Sequence, residues 1–349
     1  MKVKLLIITI FSCFQLIAQE GIPLYQDYLT SSWYLIHPST AGAASVNQVR
    51  LTARTQWLDV DDAPSLLTAS INGRLNKKVG LGILAFSDAN GNFTETGIYG
   101  TFAYHLNLSA RETELNQLSF GISGGILQNQ LDETDFGNAV FIDNAVTGTV
   151  LSDTFFNVDI GVSYYKQDFY AHLSLKNALP ISKNDFILIN DTEPDNQRRL
   201  IITTGYTFNV GNPNAKISLE PSVQYASTPE INEQLIDVNT KVYKGLENNN
   251  TIWGGIAYRT VVEGTEFSFD NVSATDRVIQ TENYQTLSGF IGMDYKQLVF
   301  AYTYTNQLND IKISSSGFHQ ITLGYNFGKN SSARDGSKRW DCNCPAVNH

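Results

Sequence analysis

Beyond its first twenty positions the sequence has no stretch near the ~18 consecutive apolar residues that a membrane-spanning helix needs, so any membrane crossing would have to be made by strands. Cysteine is nearly missing. Only Cys13, Cys342 and Cys344 occur, which excludes a disulfide framework as the means of holding the fold together. Charge is thin: charged residues make up 17% of the chain, well under the roughly 25% of soluble domains. Basic charge is thinner still, and 24 Lys+Arg against 34 Asp+Glu give a net charge of −10. That balance excludes nonspecific nucleic-acid binding, which needs a basic footprint. A hydrophobic content of 42% excludes disorder. Helical spacing of apolar residues is almost absent as well.

What is abundant favours strands: 17 Tyr and 19 Phe. Period-2 alternation, which sends successive side chains to opposite faces of a strand, runs through most of the chain. From Phe156 to Tyr164 every even position is apolar and every odd one small or polar. The same pattern recurs at Leu118 to Ile126, Phe169 to Lys176, Lys216 to Tyr225 and Gln320 to Phe327. About fourteen strands are predicted, centred near residues 52, 70, 83, 102, 122, 160, 172, 204, 221, 240, 255, 289, 302 and 322. An even count is what a single-chain bacterial barrel requires. Connection lengths supply an independent test. Tight turns follow the second, sixth and twelfth strands, near Asn76-Lys77, Gln167-Asp168 and Lys296-Gln297, while long gaps follow the fifth, seventh and eleventh. Every long gap falls on one parity, as when short turns crown one rim and long loops the other.

The fold class expected is therefore all-β, a transmembrane antiparallel β-barrel with apolar residues outward. The inward set includes His105, Asp159, His172, Lys176, Lys216, Glu220, Arg259 and Asp294; a dry sandwich would bury these at several kcal/mol each unless paired, and a hydrated lumen lowers that cost. Tyr99, Tyr164, Tyr206, Tyr225, Tyr258, Tyr295, Tyr302, Tyr304 and Tyr325 are expected in aromatic girdles near strand ends. Pro221 removes a ladder donor in mid-strand and predicts a bulge. Residues 1–18 read as a secretory signal, with Lys2 and Lys4 before a short apolar run. Residues 19–46 form an N-terminal segment expected to plug the lumen or strap its periplasmic mouth. Residues 47–328 form the barrel, and residues 329–349 a polar periplasmic tail. Both termini are expected in the periplasm.

The stretch Pro23-Leu24-Tyr25-Gln26-Asp27-Tyr28, followed by Ile36-His37-Pro38-Ser39-Thr40-Ala41-Gly42, resembles the opening of the PorP/SprF family of outer-membrane proteins associated with type IX secretion. Arg54-Thr55-Gln56-Trp57 with Ala63-Pro64, and Val79-Gly80-Leu81-Gly82 with Asp88 and Gly91, carry the likeness further. His37 stands where the family usually has Asn, and Asp62 where it has Gly. The resemblance implies a non-enzymatic barrel of the type IX secretion and gliding machinery. Its partners would be secretion components or a large secreted adhesin that it helps across or anchors at the surface. The competing expectation is a fatty-acid-type or other small hydrophobic-solute transport barrel, or a porin.

No catalytic, metal or cofactor site is expected, and outer-membrane lipid is the surrounding medium. Gly121-Ile122-Ser123-Gly124-Gly125 matches the G-x-S-x-G of serine hydrolases but sits in mid-strand with no following helix; its glycines suit close approach of a strand or plug. Asp59, Asp61 and Asp62 could offer calcium oxygens, but a solvated acidic loop is the plainer reading. Cys342 and Cys344 could pair with each other, supply half a thiolate metal site, or bond a partner's cysteine; an oxidised or partner-linked pair is preferred. Tyr25, Tyr28, Trp33, Tyr34, Trp57, Trp340, Cys342 and Cys344 are the candidate partner-binding residues, since an aromatic-rich segment left dangling would expose a sticky patch.

Overall fold

The computed structural model describes residues 32–60, 62–111, 114–134, 148–179, 198–211, 216–229, 233–246, 250–263, 266–267, 279–280, 285–308 and 316–329. Fourteen antiparallel strands follow one another in chain order around a closed ring. They are β1 Val46–Gln56, β2 Ser65–Arg74, β3 Val79–Asn90, β4 Phe93–Asn107, β5 Asn116–Asp132, β6 Val150–Lys166 and β7 Phe169–Lys176. The second half comprises β8 Arg199–Tyr206, resumed at Phe208–Val210, then β9 Ile217–Thr228, β10 Glu233–Gly245, β11 Thr251–Glu263, β12 Gln285–Tyr295, β13 Leu298–Gln307 and β14 Phe318–Lys329. Pairing of β1 with β14, from Val46 opposite Lys329 to Gln56 opposite Phe318, closes the ring and leaves no free edge. All fourteen predicted centres fall inside the observed strands.

The alternation sorts by face as expected. Ile160 is 43% exposed on the outer wall while its neighbour Asp159, pointing in, is 2% exposed. Phe120, Ile122 and Ile126 on β5 are likewise exposed outward, and Ser119 and Ser123 are buried. An outer wall of this composition suits hydrocarbon, where every backbone group must be paired within the protein. Ile256, at mid-height of β11 and 62% exposed, gives a direct test: Ile256→Arg is expected to cost roughly 2–4 kcal/mol of stability in a bilayer, measured by urea unfolding in lipid vesicles.

One rim carries the connections 75–78, 108–115, 167–168, 211–216, 246–250 and 296–297, all short, together with both ends of the ring. The opposite rim carries the three long connections 133–149, 177–198 and 264–284.

Three expectations need correction. No bulge accompanies Pro221: β9 keeps one register against β10 throughout. On its other side the same register continues past an interruption at Thr207, with the gap facing Glu220 and Pro221. The missing N–H is thus met by opening the ladder instead of inserting a residue. Lys216 is exposed just before β9, in a left-handed conformation at φ 49°, and does not point inward. Tyr99 is a buried inward residue of β4, not a girdle residue. Inward ionisable groups meet in two ion pairs: Lys176 Nζ lies 2.6 Å from Asp159 Oδ2, and Arg259 Nε lies 2.6 Å from Asp237 Oδ1.

Candidate functional site

Residues Ser32–Ser45 precede β1 and are almost wholly buried against the inward faces of β2 to β8. Two single 3₁₀ turns, Trp33–Leu35 and Pro38–Thr40, compact the segment. Pro38, with its fixed φ and absent N–H, opens the second of them. Tyr34, Leu35, Ile36 and Ala41 join the inward apolar residues Leu84, Phe86, Tyr99 and Leu127 in one cluster.

Polar contacts pin the segment to successive strands. Tyr34 OH lies 2.8 Å from Thr101 Oγ1 on β4, which is 2.7 Å from Ser123 Oγ on β5. Ser39 Oγ meets Ser163 Oγ of β6 at 2.6 Å. The Gly42 N–H donates to Asn72 Oδ1 of β2 at 3.1 Å, and Arg74 Nε donates to the Gly42 carbonyl at 2.7 Å. His105 Nε2 on β4 is 3.0 Å from the Ala41 carbonyl.

His37 is the most constrained member. Its Nδ1 is 2.8 Å from Ser174 Oγ on β7 and its Nε2 is 3.0 Å from Thr203 Oγ1 on β8. Thr203 spends its one proton on Gln224 Oε1 at 3.0 Å, so it accepts from His37, placing the imidazole proton on Nε2. Gln224 Nε2 in turn donates to Asp237 Oδ2 at 3.0 Å, and Asp237 takes both Nε and an Nη of Arg259. A hydrogen-bonded line therefore runs from the segment through β8, β9 and β10 to β11.

Next to His37 lies a ring cluster of His172, Trp33, Tyr165 and Tyr170, with centroids 4.8 to 5.3 Å apart around His172. Tyr170 OH and Tyr243 OH both donate to Glu220, and Lys241 Nζ sits 4.0 Å from the Trp253 ring centre. This polar inventory also extends to the wall of β9 to β11.

Burial, with His172 and Lys176 alongside, holds the His37 imidazole well below its ordinary pKa. The seated segment thus carries a neutral imidazole, whereas a released segment takes up a proton once pH falls below about 6.5. A depressed histidine pKa gives stability that is complete above that value and is lost on acidification. Residues 32–45 are expected to be protected from protease at pH 7.5 and cleaved faster at pH 5. His37→Gln is expected to flatten that difference.

Two inward glycines make the close seating possible. A Cβ on Gly121 would lie 2.3 Å from Ser39 N, and one on Gly80 would lie 2.0 Å from the Ala41 carbonyl oxygen. Gly121 opens the G-x-S-x-G stretch, whose Ser123 is buried in mid-β5 against Thr101. Of the motif, Gly121 supplies the bare wall against which Pro38 and Ser39 lie.

The structure brings Trp33 and Tyr34 into this site and leaves Trp57 out of it. Trp57 packs against Phe318 at 6.2 Å, just past β1 on the long-loop rim. Tyr25, Tyr28, Trp340, Cys342 and Cys344 lie outside the described residues, as do Asp61 and the predicted signal. Asp59 accepts from Ser316 Oγ at 2.5 Å across that rim. His37, Ser39 and Arg74 were not among the candidates. The candidates are aromatics and cysteines, and the small polar residues that fix the segment carry no such signal in the sequence.

A family profile described as "Type IX secretion system membrane protein PorP/SprF" matches residues 17–325. No curated protein matches the chain. Among solved structures, the chain is similar to the CymD monoaromatic hydrocarbon channel (10% identity, TM-score 0.46, covering 84% of this chain and 92% of that one). It is also similar to a TodX deltaS2S3 mutant monoaromatic hydrocarbon channel (12%, 0.48, 86% and 94%). A third is BamA from Haemophilus ducreyi lacking POTRA domains 1–3 (9%, 0.38, 81% and 70%).

Proposed function

The chain belongs to the PorP/SprF family of type IX secretion system membrane proteins, an outer-membrane barrel by family and fold, and from that premise we propose that it works by gripping a protein instead of passing a solute. Its partner is a large secreted protein such as an adhesin, or another component of the secretion machinery, which it helps across or holds at the surface. In this reading the N-terminal segment is a plug, the short-turn rim with both termini faces the periplasm, and the long loops face outward. Trp33 and Tyr34 serve the plug, while Tyr25, Tyr28, Trp57, Trp340, Cys342 and Cys344 contact the partner.

The observation that supports it is the seating of residues 32–45. A segment bonded to five of the seven strands β2 to β8 it lies against occupies the path a solute would take, and adjoining inward residues are paired with one another. Affinity purification of the full chain from its native membrane in mild detergent tests the reading. A large secreted protein or secretion components are expected to co-purify in stoichiometric amount, with little solute uptake by the protein alone in liposomes. Rapid uptake of small hydrophobic solutes by the barrel alone, with no protein partner, would overturn it in favour of transport.

A further inference from the structure

The outer wall is not uniformly covered. Across β2 to β6, with Asn47 of β1 and Phe327 of β14 also lining it, a furrow of about 780 Å³ opens between bulky side chains, within the roughly 300–1,000 Å³ of small-ligand sites. Its floor is a pair of outward glycines directly opposite each other, Gly100 and Gly124. Its walls are Ile83, Phe102, Ile122 and Phe156. In the ladder the two glycines lie in one row between Ile83 and Val158, one position per strand. Toward the short-turn rim the furrow reaches Gly73 and Leu75, and the turn beyond carries the exposed Lys77 and Lys78.

We propose that this furrow binds one acyl chain of an anionic phospholipid from the leaflet at the short-turn rim, with the lipid phosphate at Lys77 and Lys78. The floor selects the occupant. Its backbone groups are all engaged in an unbroken ladder, so a polypeptide strand finds nothing there to pair with, and its unsatisfied amides would be costly in hydrocarbon. A hydrocarbon chain brings no such groups. A second barrel is convex across its strands and would bridge the furrow instead of filling it. At the rim end, lysines on a turn beside apolar wall can reach the headgroup level while their stems stay in contact with the wall, and they attract negative headgroups.

The full chain is extracted in mild detergent and the phospholipid retained per barrel is counted by native mass spectrometry. Wild type is expected to retain phospholipid, Gly100→Leu/Gly124→Leu to lose it roughly tenfold, and Gly289→Leu, on open outward wall of β12 with nothing near its side, to retain it. Lys77→Glu/Lys78→Glu is expected to lower retention of phosphatidylglycerol more than of phosphatidylethanolamine. Equal retention by the double glycine variant and wild type overturns the proposal. Should that variant not fold, phosphatidylglycerol with a diazirine in its acyl chain is reconstituted with wild type. Labelling concentrated on β2 to β6 supports the site. Labelling spread evenly around the ring, or a protein or second copy cross-linked there in place of lipid, overturns it.

Discussion

Gly121→Leu is expected to unseat the N-terminal segment while leaving the barrel closed. The added side chain has to occupy space already held by backbone, since even its Cβ would lie 2.3 Å from Ser39 N and 2.4 Å from the Pro38 carbonyl carbon. Neither side can give way cheaply. Strand β5 is paired along its whole length with β4 on one side and β6 on the other, and the segment is a tight turn whose atoms are fixed by His37 and Ser39. Release forfeits the hydrogen bonds of Tyr34, His37, Ser39, Ala41 and Gly42. At roughly 1 kcal/mol net for each, these bonds hold the seat by several kcal/mol, and a side chain that forces the turn off the wall breaks them together. Reconstituted in planar bilayers, Gly121→Leu should pass far more ionic current than wild type. A cysteine placed at Ser39, inert to maleimide in the wild-type background, should label readily. Gly289→Leu, on the outer wall, is the control that should change neither. Unchanged labelling in Gly121→Leu would mean that the wall deforms around the new side chain.

The barrel was legible because its two signals are independent. Alternation depends on side-chain polarity, whereas the parity of loop lengths depends on where the chain turns, and both pointed to the same fourteen strands. Where one signal was used without the other, the reading failed. Tyr99 was placed by nearness to a strand end, although its neighbours Ile98 and Gly100 both point outward, which by parity sends Tyr99 in. Lys216 was placed by extending parity one residue past the strand start, where the backbone has already turned to positive φ. Pro221 was assigned a bulge because a missing donor must be accommodated somewhere, but sequence cannot choose between inserting a residue and opening the ladder. The strand beyond Thr207 took the second route.

The site was legible only as a segment. That Trp33 and Tyr34 should not dangle follows from their apolar surface, and in the structure Tyr34 is buried and Trp33 half-buried. Which wall positions receive them did not follow. Those are small hydroxyl residues such as Thr101, Ser163, Ser174 and Thr203, separated from the segment by up to 166 positions in the chain. Such residues look like ordinary lumen-facing positions until the closed ring sets them opposite the turn.

The second large effect is expected at Asp237 and Arg259, whose pairing is the far anchor of the line leading from His37. Both charges are almost fully buried, with side-chain exposures of 1% and 8%. The carboxylate is satisfied by Arg259 on one side and by Gln224 Nε2 on the other. Asp237→Leu strands a buried guanidinium and should lower stability by about 3–5 kcal/mol, the usual cost of breaking a buried pair from one side. Asp237→Leu/Arg259→Met removes both charges and should recover most of that loss. Urea unfolding in lipid vesicles measures both. The double variant also separates two roles of the pair. Without Asp237, the Gln224 amide has no fixed orientation, so Thr203 no longer has a fixed acceptor for its proton, and His37 loses the partner that set its tautomer. The double variant should therefore unfold close to wild type yet expose residues 32–45 to protease more readily. If stability and protection instead recover together, the pair serves the wall alone and the line to His37 carries no coupling.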